Sequence, residues 1–139
     1  MSLDLNLEAD KRLTREEVIL AFRRCGIDTF AEEDFGLSGN FPESNMYFSV
    51  FESTKTFWAE SGRRTCVIAE GVPKPLDWII GTRIHFRYVT VNFDDCSRDL
   101  HQFIELLSRI SKANFVLSFQ YENVYVIRDE SGLQYFGNF

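Results

Sequence analysis

The sequence predicts an α+β fold, a mainly antiparallel sheet with two principal helices packed on it. Two segments with apolar residues at helical spacing stand among several segments with strand-like alternation. Strands and helices do not alternate strictly along the chain, which disfavours a doubly wound parallel sheet. The chain has 139 residues, 45% of them hydrophobic, and neither a linker nor an internal repeat is visible. Residues 1–139 are therefore expected to form a single globular domain.

The first strand and the first helix are marked by their local patterns. Three leucines within residues 3–7 alternate with polar residues, as in a half-buried strand. The run that starts at Thr14 is a capping box, and the apolar residues after it have helical spacing. Gly26 stands where a helix would end. We predict a first helix over residues 14–25.

The middle of the chain combines a long segment rich in glycine and phenylalanine with strand patterns. Residues 27–45 are predicted to be irregular, and loops of this length are often functional, although this one could simply cover the core. Strands are predicted over residues 46–51 and 64–69, with a turn or short helix between them. The strongest strand pattern covers residues 78–93, where the parity of the apolar residues changes near Tyr88. A β-bulge would explain that change.

The last part of the chain predicts a helix followed by a hairpin. Apolar residues at a spacing of 3.6 predict a second helix over residues 96–111. Acidic residues at its start support this prediction, because negative charge stabilises the N-terminus of a helix. Two strand patterns, residues 115–119 and 124–127, surround a short turn and predict an antiparallel hairpin. A last short element is predicted over residues 133–136.

Charge and cysteine usage limit the classes of partner and the cellular compartment. The formal net charge is -6 and the isoelectric point is about 4.9, which disfavours nucleic acid or an anionic membrane as a partner. The same charge permits a basic partner, although it can also serve solubility alone. No secretory signal or membrane-spanning run is visible, and the three cysteines are widely spaced. We therefore expect a cytoplasmic protein without a disulfide or a metal site.

The sequence contains no recognisable catalytic or cofactor motif. It lacks GxSxG, GxGxxG, a P-loop and CxxC, and it has only two histidines. We therefore expect a protein that is not an enzyme and needs no cofactor. An enzyme with a dispersed site stays open as an alternative.

Acidic clusters next to aromatic residues are the candidate partner-binding site. Carboxylates accelerate encounter with a basic partner, and aromatic side chains supply anchoring area. The alternative is that these acids form an ordinary solvated surface. The candidate residues are Glu32, Glu33, Asp34, Phe35, Phe41, Asp94, Asp95 and Asp99.

A cationic stripe is the alternative candidate site. Arg83, His85 and Arg87 share one parity of a predicted strand, so they would project from one face of the sheet. Such a face could bind an anion or a carboxylate ligand. It could equally be an outer sheet face paired with local acids.

Two segments resemble a known class of protein. They are FGLSGNFPESN, at residues 35–45, and SKANFVLSFQYENVYVIRDESGL, at residues 111–133. In these segments, and in its small size and acidity, the chain resembles cytoplasmic immunity proteins of bacterial toxin systems, of the contact-dependent growth inhibition type. The resemblance implies a tight toxin partner, often a basic nuclease, whose active site is blocked.

Two functions are therefore expected, in order of preference. The first is a protein-binding module that neutralises a cognate toxin by occlusion. The second is a small-molecule-binding or regulatory domain that holds its ligand with the phenylalanine-rich segment of residues 27–45 and the cationic stripe.

Overall fold

The computed structural model describes residues 3–54, 69–72, 76 and 78–139. Within them, one antiparallel sheet of eight strands carries two helices, which confirms the predicted α+β class. The strands are β1 (Leu3–Asp10), β2 (Ala31–Glu33), β3 (Gly36–Asn40), β4 (Tyr47–Glu52), β5 (Ile80–Tyr88), β6 (Phe115–Phe119), β7 (Asn123–Asp129) and β8 (Gly132–Tyr135). The helices are α1 (Arg15–Arg24) and α2 (Phe93–Ile110).

The order of the strands places β1 in the interior of the sheet. The order is β2-β3-β4-β5-β1-β6-β7-β8, with every neighbouring pair antiparallel. Strands β2 to β5 form one meander and β6 to β8 form another. Strand β1 joins the two meanders because it pairs with β5 on one side and with β6 on the other.

Helix α1 follows the sequence prediction to within one residue at either end. The Thr14 hydroxyl accepts a hydrogen bond from the backbone N–H of Glu17 at 3.2 Å, and the Glu17 carboxylate accepts one from the N–H of Thr14 at 3.0 Å. Both bonds satisfy donors that the first helical turn leaves unpaired. Gly26 follows the helix with φ of +93°, a conformation that glycine adopts at little cost.

Helix α2 begins three residues before the predicted start. Strand β5 ends at Tyr88, and the 3-10 turn of residues Thr90–Asn92 leads into the helix at Phe93. The side chain of Val91 is 86% exposed, so its parity carries no information about a sheet face. The β-bulge predicted near Tyr88 is therefore wrong, because the change of parity marks the end of the strand.

The prediction of an irregular segment over residues 27–45 is wrong for its middle part, residues 31–40. Strands β2 and β3 form a short hairpin there, with Glu32 opposite Leu37. These strands are short and rich in small and charged residues, so they lack the alternation that identifies a strand. Apart from Ala69, the strand predicted over residues 64–69 lies outside the described residues, as does most of the preceding turn.

The main hydrophobic core lies between the two helices and one face of the sheet. The ring of Phe22 in α1 stacks between Phe48 of β4 and Phe103 of α2, at centroid distances of 3.9 and 4.3 Å. A smaller cluster covers part of the opposite face, where Ala69 packs near Val116. Both faces of the sheet are therefore partly buried, and the charged residues of the second face lie next to the smaller cluster.

The predicted hairpin of residues 115–119 and 124–127 is confirmed as β6 and β7. Its turn contains Gln120 and Tyr121, both in the left-handed region with φ of 50° and 62°. The register of the pair shifts between Leu117 and Ser118. Strand β8 then forms the edge of the sheet. It corresponds to the last short element predicted over residues 133–136 and begins one residue earlier.

Candidate functional site

The cationic stripe of β5 faces an acidic stripe on β1. In the register of the two strands, Arg83 lies opposite Glu8, His85 opposite Asn6, and Arg87 opposite Asp4. These six residues, Asp4, Asn6, Glu8, Arg83, His85 and Arg87, are called the polar row. The shared parity of its three cationic residues is confirmed, and their acidic neighbours come from residues about eighty positions earlier in the chain.

One end of the polar row is a buried ion pair. The side chain of Glu8 is fully buried, and its Oε2 atom lies 3.5 Å from a terminal nitrogen of Arg83. The Oε1 atom of Glu8 accepts a hydrogen bond from the backbone N–H of Ala69 at 3.0 Å. A buried charge needs such partners, and removing one of them usually costs several kcal/mol. This end of the row therefore serves to join β1, β5 and the segment around Ala69.

The other end of the polar row is more open. Asp4 Oδ1 lies 3.4 Å from His85 Nε2 and accepts a hydrogen bond from Arg87 Nε at 3.2 Å. Burial lowers the pKa of His85; Asp4 opposes that change, and Arg87 adds to it. Arg83, His85 and Arg87 thus each have a carboxylate oxygen within 3.5 Å. An anionic ligand at this face would have to compete with carboxylates of the chain itself.

The first group of candidate acids lies at the β2–β3 hairpin. Glu32 forms an ion pair with Arg15, which also contacts Glu52 at 2.7 Å. Glu33 accepts a hydrogen bond from the Ser38 hydroxyl at 3.0 Å.

Two further candidates lie in the turn of the same hairpin. Asp34 is exposed there. Phe35 is half-buried, with its ring stacked on Phe51 at 4.6 Å. Of the hairpin candidates Glu32, Glu33 and Asp34, the structure thus leaves Asp34 as the exposed acid without a described hydrogen bond or ion pair.

The second group of candidate acids surrounds one arginine at the start of α2. Arg98 lies 3.2 Å from Asp95, 3.8 Å from Asp99 and 3.0 Å from Glu43 of the β3–β4 loop. Asp94 is exposed in the first turn of the same helix. The residues Glu43, Asp94, Asp95, Arg98 and Asp99 are called the acidic surface. It joins Glu43, in the segment of residues 35–45, to helix α2. The spacing of these residues along the chain does not predict that contact.

Asp99 lies at a cavity beside this surface, between the end of α1, the β3–β4 loop and α2. The cavity has a volume of about 190 Å³. Asp99 is only 7% exposed. Its buried Oδ2 atom has no hydrogen-bond partner within the described part of the chain, and its Oδ1 atom forms an ion pair with Arg98 Nε at 3.8 Å. The cavity, called the acidic pocket, is lined by Cys25, Gly26, Pro42, Glu43, Arg98, Asp99 and Gln102.

The thiol of Cys25 lies in the acidic pocket and is held in its neutral form. Burial, with a contribution from the negative charge of Asp99, raises the pKa of Cys25 to about 12. A thiol with such a pKa is a poor nucleophile at neutral pH, because the thiolate is the reactive form. Cys96 is fully buried in the first half of α2. Cys66 lies outside the described residues.

The structure assigns some candidates to the interior. Phe41 is 1% exposed and packs against Phe22 and Phe48 in the core, so it cannot act as a surface anchor in this structure. Sequence reasoning also missed two exposed apolar residues at the start of α2, Val91 and Phe93, which are 86% and 41% exposed. They fitted the alternation of the preceding strand, which hid their position.

The described residues contain no group of three or more His, Cys, Asp or Glu side chains placed to hold a metal ion. No helix in this part of the chain is long and apolar enough to cross a membrane. No protein-family model, curated protein or solved structure matches the chain.

Proposed function

We propose that this chain is a protein-binding module that neutralises a basic toxin in the bacterial cytoplasm by occluding it. The observation that carries the proposal is the clustering of Glu43, Asp95 and Asp99 around the single cation of Arg98. The resemblance to immunity proteins of toxin systems points to the same class of partner. In this proposal the chain acts by binding its partner and not by catalysis.

The acidic surface carries an excess of negative charge at one place. Three carboxylates share one guanidinium group, and Asp94 adds a fourth carboxylate in the first turn of α2. A concentrated charge of one sign attracts a partner of the opposite sign and speeds their association. The 18 residues of α2 hold three of these acids on one rigid element. Acids of both groups have partners within the chain, so we prefer this surface because a long helix holds its acids, whereas the hairpin acids lie on a short edge strand and its turn.

Exposed apolar side chains at the turn into α2 can supply anchoring area next to Asp94, the first acid of the helix. Val91 and Phe93 directly precede Asp94 and Asp95 in the chain, and both are exposed. Aromatic residues near the centre of an interface often carry much of the binding energy, while charges around them set the rate and orientation of association. We assign to Phe93 the anchoring role that Phe41 cannot fill.

A protection assay tests the toxin assignment directly. Cells that express the toxin encoded next to this chain's gene are grown with and without the chain, and growth is recorded. We expect the chain to restore growth and to form a stable complex with the purified toxin. A neighbouring gene product whose toxicity the chain leaves unchanged, and which it does not bind, contradicts the proposal.

Charge reversal tests the surface. In the variant Asp94→Lys/Asp95→Lys we expect association with the toxin to slow at least tenfold at low salt and to depend less on ionic strength. The matched control is Glu16→Lys/Asp34→Lys, which makes the same change of net charge at exposed positions of α1 and the β2–β3 turn. Equal association rates for the two variants would place the contact elsewhere.

A further inference from the structure

Among the described residues, Asp99 is a buried carboxylate whose Oδ2 atom has no hydrogen-bond partner. Its Oδ2 atom is inaccessible to solvent and has no partner, and the nearest cationic atom, Arg98 Nε, lies 3.8 Å from Oδ1. That distance is too long for a hydrogen bond. Burying a carboxylate without donors costs free energy, and native proteins usually avoid it. Within the described residues, Asp99 thus has an ion-pair partner in Arg98 but no hydrogen-bond donor at Oδ2.

The acidic pocket beside Asp99 has room for such a donor. Its volume of about 190 Å³ exceeds the roughly 150 Å³ of an engineered cavity that binds benzene, which has more heavy atoms than a lysine side chain. Its walls offer the Asp99 and Glu43 carboxylates and the side-chain amide of Gln102. The carboxylates accept hydrogen bonds, the Gln102 amide can accept through its oxygen, and Arg98 is the one cationic group among the described lining residues. Two carboxylates against one guanidinium leave an excess of negative charge, which favours a donor that carries positive charge.

We propose that the acidic pocket binds a primary ammonium group, presented by a lysine side chain of the partner. The ammonium group has three donors and no acceptor, so it can bond to the acceptor atoms of Asp99, Glu43 and Gln102, which all line the pocket. Arg98 also lines the pocket and pairs with Glu43 at 3.0 Å. The inference rests on the proposed function for the source of the lysine, but the pocket itself can be tested without a partner.

The missing hydrogen bond at Asp99 Oδ2 should affect the stability of the free protein. If Asp99 serves a ligand, the chain bears the cost of its burial until the ligand arrives, and a neutral residue of the same shape relieves that cost. Asp99→Asn should therefore be at least as stable as the wild type in urea titration. A structural role predicts the opposite, so a midpoint clearly below that of the wild type would overturn the inference.

The binding test uses n-butylammonium chloride as the probe for a lysine side chain. Backbone amide chemical shifts are followed by NMR during titration, with sodium chloride holding ionic strength constant. We expect saturable shifts at Cys25, Asp99 and Gln102. Asp99→Asn should abolish them, whereas the control Glu16→Gln, an exposed acid of α1, should keep them. Neutral n-butanol should give no saturation.

The outcomes separate this inference from the proposed function. Absence of saturable shifts, or equal shifts in Asp99→Asn, overturns the pocket even if charge reversal of Asp94 and Asp95 slows toxin association. Saturable binding that requires Asp99 supports the pocket even if no toxin is bound. In the complex with a toxin, Asp99→Asn should raise the dissociation rate at least tenfold.

Discussion

Asp10 and Asn114, which lie 104 positions apart, exchange two hydrogen bonds. The backbone N–H of Asp10 donates to the carbonyl of Asn114 at 2.9 Å, and the N–H of Asn114 donates to Asp10 Oδ2 at 3.0 Å. The Asp10 carboxylate also accepts hydrogen bonds from the backbone and guanidinium of Arg12. One side chain thereby fixes the end of β1 against the segment that enters β6.

Asp10→Ala should destabilise the fold. Asp10 is 5% exposed, and its removal leaves the N–H of Asn114 without its acceptor. We expect a loss of about 1–3 kcal/mol in the free energy of unfolding, measured by urea titration. The control is Asp34→Ala, at an exposed turn, which should stay within about 0.5 kcal/mol of the wild type. Equal effects of the two changes would contradict this account of Asp10.

Phe22→Ala should be among the most damaging substitutions in α1. Its ring is fully buried between Phe48 and Phe103, so truncation leaves a large cavity at the junction of both helices and the sheet. The expected loss is about 3–5 kcal/mol in the free energy of unfolding. Leu20→Ala, on the same helix but 41% exposed, should cost far less. A loss for Phe22→Ala no larger than that of Leu20→Ala would show that this packing is incorrect.

His85 should make the fold sensitive to mild acid. Because burial lowers its pKa, the folded state binds a proton less readily than the unfolded state does. The contribution to stability is present above the unfolded pKa of about 6.5 and is lost as the pH falls through the lower folded pKa. Urea titrations between pH 7 and pH 5 should show a smaller loss for His85→Gln than for the wild type. Identical pH profiles would exclude His85 as the cause.

The Cys25 thiol should react slowly with iodoacetamide at pH 8. Its pKa of about 12 keeps almost all of it protonated there. Asp99→Asn removes one of the two causes, so the pKa should fall and alkylation should become faster, while burial still keeps the pKa above its ordinary value. Peptide mass spectrometry assigns the rates to Cys25, and Asp94→Asn serves as the control. An unchanged rate in Asp99→Asn would indicate that its charge does not reach the thiol.

Local patterns predicted the parts of the fold that depend on neighbouring residues. The capping box at Thr14 and Glu17 placed α1, and the apolar stripe placed α2. Local patterns failed for β2 and β3, whose short, small-residue strands are stabilised by pairing within the sheet. They also failed at Val91, because alternation alone cannot tell a continuing strand from a turn that leads into a helix.

The candidate site was less predictable because its contacts join distant parts of the chain. The shared face of Arg83, His85 and Arg87 followed from strand parity, but their carboxylate partners depend on the pairing of β5 with β1. The sequence analysis identified the acids at the start of α2 as candidates, but it did not identify Glu43. Glu43 belongs to the same cluster because it contacts Arg98, which also contacts Asp95. Periodicity carries no information about either contact.

The interior position of β1 in the sheet affects how the chain folds during synthesis. Strand β1 is made first, but its two neighbours, β5 and β6, begin at residues 80 and 115. Pairings between distant residues form slowly, because a long loop must close first. Both edges of β1 therefore stay unpaired until most of the chain has left the ribosome. Its apolar face, which includes Leu5 and Leu7, also stays uncovered during that time. A nascent chain halted before β6 exposes a strand edge, the kind of surface that promotes aggregation.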